Sequence, residues 1–573
     1  MRVRRERTAW VVGLILLVHM VLAGAYSVWV PLGEYPDEAD HWAYIQYLAR
    51  EHRLPRGPEL TQAKHPPLYH AGAALVALAV TPHVGSVDSR LFLRSNPDVS
   101  FRPADVTTGA YGYNSFIHTT YEDWPWQPGP RAFHWARFWS VLLSTLTVWV
   151  AYRAVRLAFA SQGETPAILA AAFVAFLPEF AFIGGVLNND TMAALLAGLA
   201  LWGGLAMFRS ERWLAGWWTP VALGLGVWAK VSTLAMWPVV IWLSGTPRRR
   251  ASSMGWTTGL AAVLAAPWFI RNVLLYGDPL GMALVRATVD VRTTPWTWAD
   301  TRWLISGWFH SFWGKFGSAG HIPMAPGIYA VLVLVSLIAL LGLGRGFWNR
   351  SFSREMVVLF GVAVISVAAA IWRYSLIALG TDQGRLLFPA LVPISGLVAA
   401  GWLAWVPRHR WPHVTSLFVL ALGVLGIYGG VGVIRPAYAP PPSAHESEHV
   451  GPSSAVRFGS LALVGWEFTD NLTLYWQAQE PIAEDVRVVV RFVDESGHIV
   501  WEWKRSPGAG RWSTDHWPRG YVMRDVYPSE RWQHIAPGDY RVEVGAYVFM
   551  GDYIYPQGHA SPFVPLGEVK IRE

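Results

Sequence analysis

The segment from Ala9 to Val30 reads AWVVGLILLVHMVLAGAYSVWV, a run of apolar residues without a carboxylate, lysine or arginine. An α-helix needs about 20 such residues to cross the hydrocarbon core of a bilayer. Comparable runs extend from Phe133 to Ala151, from Met356 to Trp372 and from Val414 to Ile434. The repeated pattern predicts a polytopic α-helical membrane protein.

The composition supports the same class of protein. Of 573 residues, 53% are hydrophobic and only 15% are charged, and the mean hydropathy is +0.27, which excludes an ordinary soluble domain. The net charge of +7 comes mainly from arginine, which is scattered between apolar segments. No basic stripe with interleaved aromatic residues is present, so we expect no nucleic-acid partner. The absence of cysteine excludes disulfides and thiolate metal sites.

The arginines also predict a topology, because short cytoplasmic loops are rich in Lys and Arg. With the N-terminus in the cytoplasm, six inner segments gather Arg2, Arg4, Arg5, Arg7, Arg153, Arg156, Arg209, Arg212, Arg248, Arg249, Arg250, Arg345, Arg350, Arg354, Arg408 and Arg410. This solution needs about 11 transmembrane helices, centred near residues 20, 143, 177, 200, 222, 238, 262, 334, 364, 395 and 424. The run Leu68 to Val80 is short and is predicted to be interfacial or re-entrant.

This topology divides the chain into three parts. Residues 1–434 form the transmembrane domain, with outer loops at about 31–132 and 271–324. Residues 435–454 form a linker that contains Pro440-Pro441-Pro442, a sequence typical of stiff extended chain. Residues 455–573 form an extracytoplasmic domain. We therefore expect a multi-pass protein of the plasma or bacterial inner membrane, with functional residues in the outer loops.

The C-terminal part has the alternating pattern of β-strands. Leu472, Leu474 and Trp476 alternate with polar residues, and the turn Asp494 to Gly497 separates two further alternating segments. Pro537-Gly538-Asp539 introduces another alternating run. Several short strands with turns between them predict an all-β sandwich.

An acidic motif, Pro36-Asp37-Glu38-Ala39-Asp40-His41, directly follows the first span. It fits acid–base chemistry at the outer surface of the membrane, with Asp37 and His41 on one helix face. It also fits a helix start in which Asp37 is the N-cap and Glu38 favours the helix dipole. The sequence leaves both interpretations open.

Other candidates lie at the predicted outer ends of the spans. Lys64-His65-Pro66-Pro67 forms a loop corner, and Asn189-Asp190 either caps a helix or lines a site. Lys230 and Arg385 are cations that could bind phosphate or extend to the interface. The remaining candidates are Arg271, Tyr276, Lys315 and Gln383. All three lysines of the membrane part fall on the outer side, where compact charges suit a phosphate site.

These motifs, in this order, resemble the GT-C superfamily of membrane glycosyltransferases, which includes protein O-mannosyltransferases and lipid A aminoarabinose transferases. The resemblance covers residues 10–430. It rests on Pro36-Asp37-Glu38 with His41, His65-Pro66-Pro67-Leu68-Tyr69, Asn189-Asp190, Lys230, Arg271-Asn272 with Tyr276-Gly277-Asp278-Pro279, Phe312-Trp313-Gly314, and Gln383-Gly384-Arg385 with Pro389. Tyr69-His70 stands where the protein mannosyltransferases have Gly-Lys, so the acceptor need not be a protein.

The resemblance implies a hexosyl- or pentosyltransferase that inverts the sugar of a polyprenyl-phosphate donor. Asp37 would be the catalytic base and Glu38 would orient the acceptor, with Lys230, Arg271 and Arg385 stabilising the leaving phosphate. The wider substrate-binding set would add His41, Lys64, His65, Asp190, Tyr276, Lys315 and Gln383. No cofactor is certain; a divalent metal, if used, would be held by Asp37, Glu38 and His41. The acceptor would be a glycan, lipid or protein.

Two other classes of function remain open. A polymerase, ligase or flippase of lipid-linked glycans would share many spans and outer arginines, although the acidic motif after the first span argues against it. A non-catalytic membrane scaffold that binds envelope glycans would tolerate Asp37→Asn, because Asn caps a helix as well as Asp does.

Overall fold

The computed structural model describes residues 2–246, 250–444 and 455–571. Arg248 and Arg249 and the linker residues 445–454 lie outside the described ranges. In chain order, the helices are α1 (Arg2–Trp29), α2 (Glu38–Glu51), α3 (Leu68–Val80), α4 (Pro103–Val106), α5 (Pro128–Ala158), α6 (Thr165–Phe176), α7 (Pro178–Gly184), α8 (Asp190–Ser210), α9 (Thr219–Ala229), α10 (Trp237–Ser244), α11 (Arg250–Tyr276), α12 (Met282–Ala287), α13 (Trp298–Gly314), α14 (Pro326–Trp348), α15 (Arg354–Ser375), α16 (Leu391–Leu403), α17 (Trp411–Tyr428) and α18 (Arg435–Ala437).

Eight helical segments of the described residues are long and apolar enough to cross a membrane. They are Glu6–Trp29, Pro128–Ala158, Asp190–Ser210, Arg250–Tyr276, Pro326–Trp348, Arg354–Ser375, Gly384–Leu403 and Arg408–Ala437. Counting the bent pair α6 and α7 as one span raises the number to nine. The fold is therefore that of a polytopic α-helical membrane protein, as the sequence predicted.

The predicted number of 11 spans differs from this count at residues 219–244. The two predicted centres near 222 and 238 fall on α9 and α10, which have 11 and 8 residues and are too short to meet the length criterion for a span. The chain breaks between them at Lys230, which is extended, with φ −161° and ψ 128°. The predicted interfacial run, Leu68–Val80, is a helix of 13 residues and likewise is not a candidate span.

The bend between α6 and α7 has a local cause. Leu177 precedes Pro178 and is extended, with ψ 115°, because proline disfavours the helical conformation in the residue before it. Pro178 then begins α7, where its missing N–H is not needed. The two helices meet at 62°, and the chain leaves α7 to reach Asp190 at the start of α8.

Two connections carry most of the remaining residues of the membrane part. The first loop, defined here as residues 30–127, contains α2, α3, α4 and the paired strands β1 (Arg94–Ser95) and β2 (Phe116–Ile117). The second loop, residues 277–325, contains α12, α13 and the paired strands β3 (Lys315–Phe316) and β4 (Ile322–Pro323).

The C-terminal part is an all-β sandwich. Its strands are β5 (Val456–Phe458), β6 (Leu461–Phe468), β7 (Leu472–Ala478), β8 (Val486–Val493), β9 (Ile499–Arg505), β10 (Val522–Tyr527), β11 (Gly538–Val548), β12 (Tyr553–Ile554) and β13 (Phe563–Ile571). One antiparallel sheet has the order β10-β7-β6-β5, and the other β12-β11-β8-β9, with β13 also paired to β11. Their inner faces share one core, which contains Leu474 and Trp476 from one sheet and Val490 and Val544 from the other.

The predicted turn at Asp494 to Gly497 joins β8 to β9 in a hairpin. Gly497 has a φ of +85°, a conformation that glycine adopts without steric cost, and the amide of Asp494 donates to the carbonyl of His498. Phe492 pairs with Trp501 across the two strands. The alternating pattern of the sequence is thus realised as strands that bury one face.

The sandwich contacts the first loop through buried polar groups. The side chain of Asn96 donates to the carbonyl of Ala509 at 2.9 Å, and that of Asn114 donates to the carbonyl of Gly510 at 2.7 Å. Asp98 of the first loop pairs with Arg505 at 3.1 Å, and both side chains are almost fully buried. These contacts join the β-domain to the first loop.

Candidate functional site

Asp37 occupies the N-cap position of α2 but does not cap it. Its side chain forms no capping hydrogen bond, and its backbone lies in the left-handed region with φ 65° and ψ 7°. That conformation is uncommon outside glycine, and such residues cluster at functional sites. The carboxylate is about half exposed, at 49%, and accepts a hydrogen bond from Arg385. The capping interpretation of this side chain is therefore wrong.

Arg385 connects two carboxylates from distant parts of the chain. Its Nη2 lies 3.0 Å from Oδ2 of Asp37, and its Nη1 lies 3.1 Å from Oδ2 of Asp190. Nε donates to Oε1 of Gln383 at 2.5 Å, and the guanidinium lies 5.2 Å from the ring centre of Tyr35. The side chain is only 6% exposed, so its geometry is fixed on all sides.

Asp190 is fully buried and also pairs with Lys230. The backbone amide of Asp190 donates to the side chain of Asn188 at 2.6 Å, so Asn188 satisfies one amide of the first turn of α8. Asp190 itself is therefore free to bind cations instead of capping the helix. Lys230 directly follows α9, where the backbone is extended, and its ammonium group donates to the carboxylate of Asp190.

Lys64 and Asp40 lie next to these residues. Lys64 donates to the carbonyl oxygens of Thr61 and Thr288, at 2.7 and 3.4 Å, and has no carboxylate within salt-bridge distance among the described residues. Burial lowers the pKa of Lys64, and the charges of Asp37 and Asp40 oppose this shift. Burial raises the pKa of Asp40, and the charge of Asp37 adds to this shift.

We name the Asp37 cluster as the set Asp37, Asp40, Lys64, Asp190, Lys230 and Arg385. It contains three carboxylates and three cations, so its formal charge is zero when all six groups are ionised. A site that is already neutral can accept both a proton and a negatively charged group without leaving a buried charge uncompensated. The sequence predicted five of these six residues as site residues. Ion pairs join four of them, Asp37, Asp190, Lys230 and Arg385, and Lys64 is close enough for the charge of Asp37 to affect its pKa.

Glu38 does not belong to the cluster. Its carboxylate is fully buried and accepts from Nε and Nη2 of Arg137, at 2.9 and 2.7 Å. The amides of Gly33 and Leu187 donate to the same carboxylate at 3.0 and 2.8 Å. These bonds leave it no role in orienting an acceptor, so that expectation for Glu38 is corrected: it is a structural partner of Arg137.

Arg137 was missed by the sequence reasoning, although it left a signal. It is a fully buried arginine near the start of the apolar run of α5, where an ionisable residue normally has a specific partner. Besides Glu38, it donates to the carbonyls of Ser27, Val30 and Pro31. Arg137 therefore ties the end of α1 to the start of α2 and fixes the chain on both sides of the turn that carries Asp37.

The side chain of His41 is held by another histidine, and neither His41 nor His65 supplies a positive charge. Nδ1 of His41 bonds to Nε2 of His70 at 2.8 Å, and the ring of His41 is buried. Burial lowers the pKa of His41, and the neighbouring His70 lowers it further, so the imidazole is neutral. Burial and the charge of Lys64 likewise lower the pKa of His65. A neutral imidazole provides no cation for a phosphate.

The residues suggested for a divalent metal do not fit one. Asp37 faces Arg385, Glu38 faces Arg137, and His41 faces His70. No group of three or more His, Asp or Glu side chains within the described ranges has the geometry of a metal site.

Arg271 and Tyr276 lie at the end of α11 and hold a different segment. Arg271 donates to the carbonyl of Pro55, and its guanidinium packs 5.0 Å from the ring centre of Trp268. The hydroxyl of Tyr276 donates to the carbonyl of Arg56 at 2.9 Å. These contacts anchor residues 55–56 of the first loop and involve none of the six members of the Asp37 cluster.

Lys315 and Gln383 have different relations to the cluster. The amide of Lys315 donates to the buried carboxylate of Glu179 at 3.2 Å. Gln383 contacts the cluster directly, because its side-chain oxygen accepts from Arg385. The structure thus places Gln383 beside the cluster and gives Lys315 no hydrogen bond to it.

Comparison with known proteins gives one family and several structures. Residues 133–271 match the family described as dolichyl-phosphate-mannose-protein mannosyltransferase, a segment that includes Asp190 and Lys230. A search of curated proteins found no match.

Several solved structures are similar to the chain. ArnT from Cupriavidus metallidurans bound to undecaprenyl phosphate has a TM-score of 0.41 and 13% identity, covering 75% of this chain and 74% of that one. The Archaeoglobus fulgidus oligosaccharyltransferase has a TM-score of 0.42 in its apo form, with 11% identity and coverage of 74% and 55%. Its complex with zinc and sulfate also has a TM-score of 0.42, with 13% identity and coverage of 75% and 53%. The chain thus spans about half the length of the archaeal enzyme.

The family match confirms the resemblance to membrane mannosyltransferases for the segment that it covers, residues 133–271.

Proposed function

We propose that this chain is an inverting glycosyltransferase that moves a sugar from a polyprenyl-phosphate donor to an acceptor hydroxyl at the outer surface of a membrane. The observation that carries the proposal is the bridge by which Arg385 joins the half-exposed Asp37 to the buried pair of Asp190 and Lys230. The family match over residues 133–271 supports the donor class, because its description names a dolichyl-phosphate sugar.

Asp37 is proposed as the general base. Its carboxylate is exposed enough to meet an acceptor, and a positioned carboxylate can take the acceptor proton as the hydroxyl oxygen attacks the anomeric carbon. The new glycosidic bond forms as the bond between the anomeric carbon and the phosphate oxygen breaks. The electron pair of that bond leaves with the polyprenyl phosphate, and the proton stays on Asp37.

Charge balance supports this assignment. The donor phosphodiester carries one negative charge, and a released phosphate monoester carries about 1.5 to 2 negative charges at neutral pH. Protonation of Asp37 removes one negative charge from a cluster that is formally neutral, so the cluster becomes positive as the phosphate becomes more negative. Lys64 and Lys230 are the proposed phosphate contacts. Such fixed cations stabilise charge that develops in the transition state.

The cluster also suits a donor that stays in the membrane. Asp190 is the first residue of one candidate span, and Arg385 is the second residue of another candidate span. Asp37 lies in the short turn that follows the span of α1. A polyprenyl tail can therefore stay in the bilayer while its phosphate reaches these cations.

The test is transfer by purified protein in nanodiscs. Labelled polyprenyl-phosphate sugars are offered together with glycan, lipid and peptide acceptors, and the anomeric configuration of the product is determined by NMR. We expect transfer with inversion. Transfer only from pyrophosphate-linked oligosaccharides would instead support a polymerase or ligase. No transfer from any donor would contradict the proposal.

A further inference from the structure

A cavity of about 270 Å³ lies between the first loop and the β-domain, away from the Asp37 cluster. Asp105 and Tyr111 line it from the first loop, and Asn471, Glu530 and Gln533 line it from the β-domain. The side chains of Glu530 and Gln533 are exposed, so the cavity opens to solvent. Its volume is near the lower end of the range for small-molecule sites.

The lining offers hydrogen-bond donors and acceptors that the protein does not use. Asn471 accepts from the amide of Ser529 at 3.0 Å, which leaves its amide nitrogen as a donor. One oxygen of Glu530 accepts from the hydroxyl of Tyr111, which leaves the other as an acceptor. Gln533 adds both a donor and an acceptor, and within the described part of the chain its side chain forms no hydrogen bond.

This chemistry matches a hydroxyl-rich ligand. A sugar hydroxyl both donates and accepts, so it can bond to the amide groups of Asn471 and Gln533 as well as to the carboxylate of Glu530. A phosphate only accepts, and it would meet the negative charge of Glu530, whereas Asp105 is already paired with Arg102. An apolar ligand or side chain would need walls that are mostly apolar, whereas carboxylates and amides from both parts of the chain line this cavity.

The cavity is connected to Asp37 by a short path through the first loop. Tyr111 precedes Phe116 by five residues, and the amide of Phe116 donates to Glu34 at 2.8 Å, three residues before Asp37. Chain geometry therefore limits the separation of Tyr111 from Asp37 to roughly 40 Å or less. An extended oligosaccharide can therefore span the two places.

We propose that this cavity binds one unit of a carbohydrate chain whose far end is presented to the Asp37 cluster. The claim that the far end of the chain is presented to the Asp37 cluster rests on the proposed function. The acceptor is then a glycan. It assigns the β-domain and the first loop a joint role in holding the acceptor.

Binding can be measured without any donor. Saturation-transfer NMR on the full chain in nanodiscs uses a panel of short neutral oligosaccharides, with inorganic phosphate and unglycosylated peptides as separate probes. Gln533→Trp fills the cavity from an exposed position, and His534→Trp places the same side chain at the next exposed residue, which does not line the cavity. Glu530→Ala removes an acceptor and serves as a second variant.

We expect an oligosaccharide to bind, and both Gln533→Trp and Glu530→Ala to weaken it by about tenfold or more, equivalent to about 1.4 kcal/mol, while His534→Trp has no effect. The proposal is overturned if no oligosaccharide binds, if the cavity variants bind as well as wild type, or if phosphate or a peptide takes the site. Binding by the wild type without any transfer would count against the proposed function and leave the cavity assignment intact.

Discussion

Nη2 of Arg385 lies 3.0 Å from Oδ2 of Asp37, although the two residues are 348 positions apart in the chain. Through Nη1, the same guanidinium also holds Asp190. The bridge occupies the side chain of Asp37 with an ion pair and leaves the N-terminus of α2 without a side-chain cap. This arrangement favours a reactive role for Asp37 over a structural one.

Arg385→Lys should lower sugar transfer by about 10²-fold while the protein stays folded. Lysine keeps the charge, but it lacks the planar fork with which arginine binds two carboxylates at once. The readout is the transfer rate in nanodiscs, with Arg373→Lys at an exposed site near the end of α15 as the matched control. Equal rates for both variants would show that the bridge does not position Asp37.

Glu38→Gln should destabilise the protein by about 3–5 kcal/mol, because it leaves the buried Arg137 without its carboxylate. We expect a lower unfolding midpoint in detergent. The double variant Glu38→Gln with Arg137→Gln should recover part of the loss, since it removes the uncompensated charge. If Glu38→Gln folds with normal stability and loses only transfer, then Glu38 acts in the reaction after all.

His118 should make stability depend on pH. Burial lowers its pKa, but the charges and hydrogen bonds of Glu122 and Glu34 outweigh burial and raise the pKa to about 10. Because the folded pKa exceeds the unfolded value of about 6.5, the ion pairs contribute fully below that value, and their contribution is lost as the pH rises through about 10.

The measurement is the unfolding midpoint of wild type and His118→Gln across this pH range. Wild type should lose more stability than the variant as the pH approaches 10. Parallel curves for the two proteins would mean that His118 is not charged in the folded state.

Asp98→Asn should loosen the contact between the first loop and the β-domain. Asp98 pairs with Arg505 at 3.1 Å and with Arg531 at 3.4 Å, and the Arg505 pair is almost fully buried. Removing one charge of a buried pair typically costs about 3–5 kcal/mol, and we expect a smaller cost here because Asp525 remains 3.5 Å from Arg505. We expect faster hydrogen exchange in residues 94–117.

Asp88→Asn is the control for this prediction, because its ion pair with Arg90 is exposed and such pairs contribute about 0–1 kcal/mol. If Asp98→Asn and Asp88→Asn leave exchange in residues 94–117 equally slow, the buried pair does not hold the loop to the β-domain.

Periodicity allowed most of the fold to be predicted from the sequence. Apolar runs of about 20 residues indicate spans, and alternation around Trp476 and Phe492 indicates strands, because both patterns arise from local geometry. The region around Lys230 was harder. One apolar stretch there is broken into α9 and α10, and hydropathy does not reveal where a helix is interrupted.

The candidate site was predicted in part. Asp37, Asp190, Lys230 and Arg385 were identified by charge at the ends of spans, where an ionisable residue is costly without a partner. Glu38 was misassigned because it directly follows Asp37 and starts a helix, and adjacent helical side chains point in different directions. Contacts such as Asn96 with Ala509 join residues 413 positions apart, and no local pattern predicts them.

The central claim is that Asp37 is the base, and Asp37→Asn tests it most directly. Asparagine accepts the left-handed backbone conformation and can occupy an N-cap, so the variant should keep the fold and the unfolding midpoint of wild type. Sugar transfer from polyprenyl-phosphate donors is then compared at matched amounts of folded protein. The account predicts that the variant loses transfer by at least about 10²-fold. Transfer at the wild-type rate by a folded Asp37→Asn protein would contradict it.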